Sequence, residues 1–396
     1  MRPATAWLIL ALIAACPWGI AEDRVDESDY DFEVGVGFDD NAFLAPSSSY
    51  FDQNQEQTVS PEKKSGFFVP VDLDAEWIRG GRTRWVADLG AGGDFYGGSD
   101  TSDADEYDLS LEAGVQWLLA KRDWRESTLT VLPLVGYRKR IYFDRDTGLP
   151  RTSGGEDISD RFSYSRAGAT VEWAHGIWDR LEIEAEAFFE KRNYSDDRPL
   201  VALDHDYYGA GIEFELEITD PLSLYLEHER YVRDYDERRA RDPDGRLLSG
   251  NDVLHYDYAE TTATARWRVS DAWVVYLDSS YRQRDDDFVG FNDYSQWSAR
   301  ARALRWTEAS RWRFEVEYWE RDYNNAFIFE EPVDPRTDIA NPFKLFETLD
   351  VKIRWQRPVT DRLWLQAEID YRDRTSTDPR YDYQRTIVIA GVRWRL

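Results

Sequence analysis

The feature that most constrains this chain is a two-residue alternation of apolar and polar side chains, which begins at Tyr30 and recurs to the last residue. Tyr30, Phe32, Val34, Val36 and Phe38 alternate with Asp31, Glu33, Gly35 and Gly37. Phe67, Val69, Val71, Leu73, Ala75 and Trp77 alternate with Asp72, Asp74 and Glu76, and after Gly80-Gly81 the pattern resumes at Trp85, Ala87 and Leu89. Leu181, Ile183, Ala185 and Ala187 stand against Glu182, Glu184 and Glu186, and Tyr208, Ala210, Ile212, Phe214, Leu216 and Ile218 against Glu213, Glu215 and Glu217. A helical period would scatter those glutamates around the whole circumference, whereas a strand gathers them on one face. The segments read as strands.

Counting such runs predicts about sixteen strands of roughly ten residues or more, the length a tilted strand needs to cross the hydrocarbon layer of a bilayer. Connections alternate between short (79–82, 220–221, 270–272, 307–310) and long and polar (39–64, 143–160, 233–252, 322–344). The expected fold is therefore all-β: a transmembrane, antiparallel, up-and-down β-barrel with tight turns on one rim and loops on the other. A soluble β-protein would turn the apolar face inward instead. Against that stand Ala263, Ala265, Ala299, Ala301 and Ala303, which would fill a core poorly. Trp77, Trp117, Trp173, Trp267 and Trp355 also sit on the apolar face shortly before short turns, where an interfacial girdle on one rim would need them.

Charge and cysteine content narrow the function. The formal net charge is -28, which opposes nucleic acid as a partner, because phosphate binding rests on clustered Lys and Arg. The single cysteine, Cys16, allows neither a disulfide framework nor a cysteine metal site. The first 21 residues read as an export signal: Arg2, an apolar stretch from Trp7 to Ala15, then the small-residue site Gly19-Ile20-Ala21. Ile13-Ala14-Ala15-Cys16 offers a lipobox as the rival cleavage site. Either route exports the chain, leaving 22–29 as a short periplasmic segment and 30–396 as the barrel. Outer-membrane lipid and lipopolysaccharide are its expected surroundings.

On the barrel reading the polar face lines the lumen, and two walls of opposite sign emerge. The seventh to ninth strands carry Glu182, Glu184, Glu186, Glu213, Glu215, Glu217, Glu227 and Glu229. The tenth to fourteenth carry Arg266, Arg268, Arg282, Arg284, Arg300, Arg302, Arg313, Lys352 and Arg354, with Glu315, Glu317 and Asp350 among them. Two expectations stay open: a transverse field with a cation preference, or a salt-bridge network that plugs the lumen. Tyr207, Tyr225, Tyr276, Trp319 and Trp364 share the polar face, where they could stack on sugar rings or on one another. The histidines, His175, His205, His228 and His255, fall into no spacing that assembles a base, nucleophile and orienting group, so no catalytic residue is expected. Asp39-Asp40-Asn41 lacks the glycine and distant glutamate of a calcium loop and reads as a solvated turn. No metal or cofactor is expected.

The stretch from Val34 to Pro46, V-G-V-G-F-D-D-N-A-F-L-A-P, resembles the first strand and loop of the β-barrel porins found with polysaccharide export systems. A similar aromatic-Asp-x-Asn pattern occurs in the barrel of surface lipoprotein assembly modifiers. The final run, Thr386, Val388, Ala390, Val392, Trp394 and Leu396, resembles the closing strand that the barrel assembly machinery reads, with Leu396 where that pattern usually has Phe. These resemblances imply an outer-membrane barrel with that machinery as a folding partner. The expected function is a porin-like channel for small polar solutes or saccharides. The alternatives are an export accessory for an exopolysaccharide and a plugged structural barrel; the oligomeric state is left open.

Overall fold

The computed structural model describes residues 25–52, 56–121, 126–153, 156–195, 198, 201–327 and 343–396. Its framework is sixteen strands: β1 (Val25–Asp39), β2 (Gly66–Gly80), β3 (Thr83–Tyr96), β4 (Glu106–Lys121), β5 (Glu126–Lys139), β6 (Tyr164–Trp178), β7 (Leu181–Tyr194) and β8 (His205–Thr219). The second half continues with β9 (Leu222–Arg239), β10 (Val253–Ser270), β11 (Trp273–Asp286), β12 (Tyr294–Trp306), β13 (Arg311–Phe327), β14 (Phe343–Pro358), β15 (Leu363–Ser376) and β16 (Tyr383–Arg395). Each strand pairs antiparallel with its neighbours in sequence, and β1 also pairs with β16, so the sheet closes on itself. Closure leaves no barrel strand with an unpaired edge, the condition for placing strands in hydrocarbon.

The strands overrun their expected limits at both rims. β1 starts at Val25 rather than Tyr30, because Val25 to Asp29 pair with Gly80 to Glu76 of β2, so the supposed periplasmic segment 22–29 is largely strand. Asp26, Glu27, Ser28 and Asp29 hide this end from a periodicity argument: where both faces meet water, nothing demands alternation. At the opposite rim β9 runs to Arg239 and β13 to Phe327, into stretches expected to be loop. The expected export signal, Cys16 and residues 328–342 lie outside the described residues.

The apolar face points outward. Val36 is 60% exposed and Leu277 57%, values no core residue would show. The five expected tryptophans do mark one rim, where Trp77 meets Tyr30 at 5.5 Å and Trp355 meets Trp312 at 6.4 Å. A second girdle, unnoticed in the sequence, marks the loop rim: Phe38 against Phe67 at 5.2 Å, Phe95 against Tyr107 at 6.3 Å, and Trp297 against Tyr318 at 5.2 Å. An apolar band between two aromatic girdles is the outer surface a lipid bilayer selects.

Candidate channel lumen

Contacts between non-adjacent strands identify the inner face. Arg354 on β14 reaches Glu33 on β1 at 3.6 Å, and Gln366 on β15 donates to Glu33 at 2.9 Å. One or two strands intervene in each case, so these side chains meet inside the barrel. Residues of the same parity on every strand line that interior.

All eight predicted acidic residues fall on this parity, and the register sets them side by side. Glu182 is opposite Glu215, Glu184 opposite Glu213, and Glu213 opposite Glu227. The wall is wider than predicted: Asp72, Asp74 and Glu76 on β2, Asp88 on β3, Asp108 and Glu112 on β4, and Glu172 on β6 continue it. Acidic side chains thus run from β2 to β9, half the circumference. Among the described residues, Glu184, Glu186, Glu213, Glu227 and Glu229 close no ion pair.

The predicted basic residues share the inner parity too, but most have local partners. Arg282 pairs with Glu260 at 2.6 Å, Arg300 with Asp278 at 2.7 Å and Arg313 with Glu315 at 2.5 Å. Lys352 lies 3.4 Å from Glu368 and 3.2 Å from Asp370, and Arg354 is bound to Glu368 as well as Glu33. Arg302 stacks over Tyr276 at 4.4 Å, and Arg284 lies between Tyr256 and Tyr294, 4.3 Å from each ring. Arg268 stays exposed at the short-turn rim. The two walls therefore differ in state: one is largely neutralised, the other is not.

Guanidinium–ring stacking extends along the loop end of the lumen. Arg192 covers Tyr207 at 4.2 Å, Arg233 covers Tyr258 at 5.2 Å, Arg321 covers Tyr294 at 4.6 Å, and Arg374 lies 5.0 Å from Trp319. Arg311 does the same to Trp364 at 4.2 Å near the other rim, and Tyr225 donates its hydroxyl to Glu215 at 3.1 Å. The aromatic residues considered for sugar stacking are thus engaged by the chain's own cations and carboxylates. Tyr231, Tyr256, Tyr258 and Tyr294 are buried together, so side chains fill the loop end of the β9–β12 sector. Across the lumen, Gly35 on β1 and Gly92 on β3 border a cavity of about 310 Å³.

Loops meet over the mouth. Phe43, fully buried, packs on Phe143 at 4.8 Å, and the Tyr50 hydroxyl donates to Asp146 at 2.8 Å. Arg145 stacks on Tyr381 at 4.8 Å. Gly148, at φ 65°, passes so close that a Cβ there would stand 2.6 Å from the Phe43 ring. Burial raises the Asp146 carboxyl above the usual carboxylate range against the opposing Tyr50 hydrogen bond, and burial together with Asp146 raises the Tyr50 phenol.

Asp39-Asp40-Asn41 is no solvated turn. Asp39 and Asn41 are fully buried; Asp39 accepts from the Tyr96 hydroxyl at 2.7 Å and from Arg385, while the Asn41 amide donates to the Ala45 and Gln384 carbonyls at 2.9 and 3.0 Å. The segment is a clasp over the β1–β16 seam. The histidines are dispersed. His205 is buried between Tyr194 and Tyr235, while His175 (2.8 Å from Ser127), His228 and His255 are on the outward parity. Among the described residues no carboxylate joins Ser127 and His175 to make a triad.

No protein-family model matches the chain, and no curated protein matches it in sequence. Among solved structures, OmpT, an outer membrane protein of Vibrio cholerae, aligns at a TM-score of 0.48 with 9% identity, over 95% of this chain and 99% of its own. The anion-selective porin from Comamonas acidovorans aligns at 0.44 with 11% identity, over 94% and 100%. Acinetobacter baumannii OccAB1 aligns at 0.43 with 12% identity, over 96% and 98%. At such identities the likeness speaks for no solute. The physical features stand without it: with its closed sheet, apolar outer band, two aromatic girdles and polar interior, this is a membrane-spanning β-barrel of the bacterial outer membrane.

Proposed function

We propose that the protein is a porin-like channel for small polar solutes that favours cations. The observation that carries this reading is the asymmetry between the walls: Glu184, Glu213 and Glu227 face one another in one row and close no ion pair among the described residues, whereas most of the basic residues are matched. Like charges set side by side repel unless water and mobile cations lie between them, so such a wall calls for a hydrated lumen. Fixed negative charge in a narrow low-dielectric passage raises the local concentration of cations.

A second reading, a closed or plugged barrel, draws on the packed mouth at Phe43, Phe143, Tyr50 and Asp146. The polysaccharide-export reading has less behind it, since Asp39 and Asn41 of the resembling motif are fully occupied by the seam. Recording the mature protein in a planar bilayer under a potassium chloride gradient separates the readings. Steady conductance with a reversal potential toward that of potassium supports the channel. Anion preference overturns the selectivity, silence supports the plug, and current that appears only on adding an acidic polysaccharide supports export.

A further inference from the structure

We propose that the lumen holds a binding site for small organic cations, of the amine or guanidine class, in the trench over Gly92. The inference rests on the channel reading and names a solute class for it. Asp72 on β2, Gly92 on β3 and Asp108 on β4 form one row in the register, so the glycine separates two inward carboxylates. A Cβ on Gly92 would lie 3.3 Å from Asp72 Oδ2 and 3.9 Å from Asp108 Oδ1. Both carboxylates therefore lean over the space that the missing side chain leaves. This space belongs to the cavity of about 310 Å³, which Asp94 also lines. That volume lies at the small end of ligand pockets.

Among the described residues, the two guanidiniums on the cavity wall form no ion pair with these acids. Arg354 is committed to Glu33 and Glu368, and Arg138, although opposite Asp108 in register, lies 4.0 Å from Glu106. Among the described residues Asp72, Asp94 and Asp108 close no ion pair. A glycine floor, carboxylates on both sides and a pocket for a few heavy atoms suit a compact cation that donates to two carboxylates together; charge-assisted bonds of this kind are the strong ones.

The probe is 1,4-diaminobutane, with 1,4-butanediol as its neutral match, added to the mature protein in a planar bilayer. Expected are concentration-dependent interruptions of current by the diamine and none by the diol. Asp72→Asn with Asp108→Asn, and separately Gly92→Leu, weaken the block by about tenfold or more, whereas Glu308→Gln, in an exposed short turn, leaves it in place. Folding of each variant is checked by heat-modifiable migration on a gel. Block that survives in both trench variants, or equal block by the diol, overturns the site. If the protein folds but never conducts, the channel reading fails, and calorimetry of diamine binding to the detergent-folded barrel then decides the trench by itself.

Discussion

Arg385, on the last strand, places its guanidinium 2.6 Å from the carboxylate of Asp39, at the end of the first strand and fully buried. This pair ties the sheet where its two edges meet, and Tyr96 shares the same carboxylate. Replacing Asp39 by alanine leaves a buried guanidinium without its anion, which costs about 3–5 kcal/mol. Among the described residues, Asp40 accepts only from the Thr386 amide at the exposed edge, so Asp40→Ala costs about 1 kcal/mol. Urea titration of the folded and unfolded gel bands checks the order; equal midpoints for the two variants would contradict it.

The lipid-facing side is tested at Leu277, which stands between Ala265 and Ala301. Leu277→Arg puts a charge against acyl chains, at a cost of roughly 2–4 kcal/mol near the bilayer midplane. Glu227→Arg, on the inner face, instead relieves repulsion and leaves stability equal or higher. Folding efficiency into lipid vesicles should fall for the first and hold for the second.

On the proposed channel reading, the row Glu184, Glu213 and Glu227 sets the ion preference. Changing all three to glutamine lowers the ratio of cation to anion permeability by about twofold or more, read as a smaller reversal potential in a salt gradient. An unchanged ratio places the selectivity filter elsewhere.

Acid should tighten the cap at the mouth. In the docked loops the Asp146 carboxyl is held above its ordinary range by burial, with Asp144 and Asp52 adding and Arg151 and the Tyr50 hydrogen bond opposing, and its Oδ1 has no hydrogen-bond partner. The docked form therefore binds a proton more tightly than the open form. Docking is weakest above that raised pKa and is gained as pH falls through it. Amide-exchange protection around Tyr50 and Phe43 should rise on acidification, and Asp146→Asn should hold the loops docked across the range. Protection that falls with pH gives the opposite sign and excludes Asp146 as the cause.

The barrel was legible because lipid favours apolar side chains on the outer face of every strand, as at Val36 and Leu277, so alternation recurs along the chain. Where lipid ends the rule lapses, and Val25 to Asp29 and the ends of β9 and β13 could not be recognised as strand. The parity of the acidic and basic residues followed from the same rule. Their pairing did not, because Arg354–Glu33 joins strands that are distant in sequence and close only after closure. The acidic residues from Asp72 to Glu172 were dispersed among glycines and threonines, which hid their continuity with the Glu182–Glu229 wall. The burial of Asp39 and Asn41 depends on Arg385 and Gln384, more than three hundred residues away, which no local reading of a short polar stretch could supply.

An acidic half-cylinder facing a largely compensated one also bears on what the barrel contains at rest. If the lumen is open as proposed, uncompensated carboxylates must be balanced by ions drawn from outside, so the passage carries a resident electrolyte whose amount is set by its own glutamates and aspartates. Below about 0.1 M salt the screening length exceeds ~10 Å and this internal stock outweighs what the bath supplies. Current through such a conduit levels off on dilution instead of falling in proportion, whereas an uncharged bore of equal width would run nearly empty of carriers.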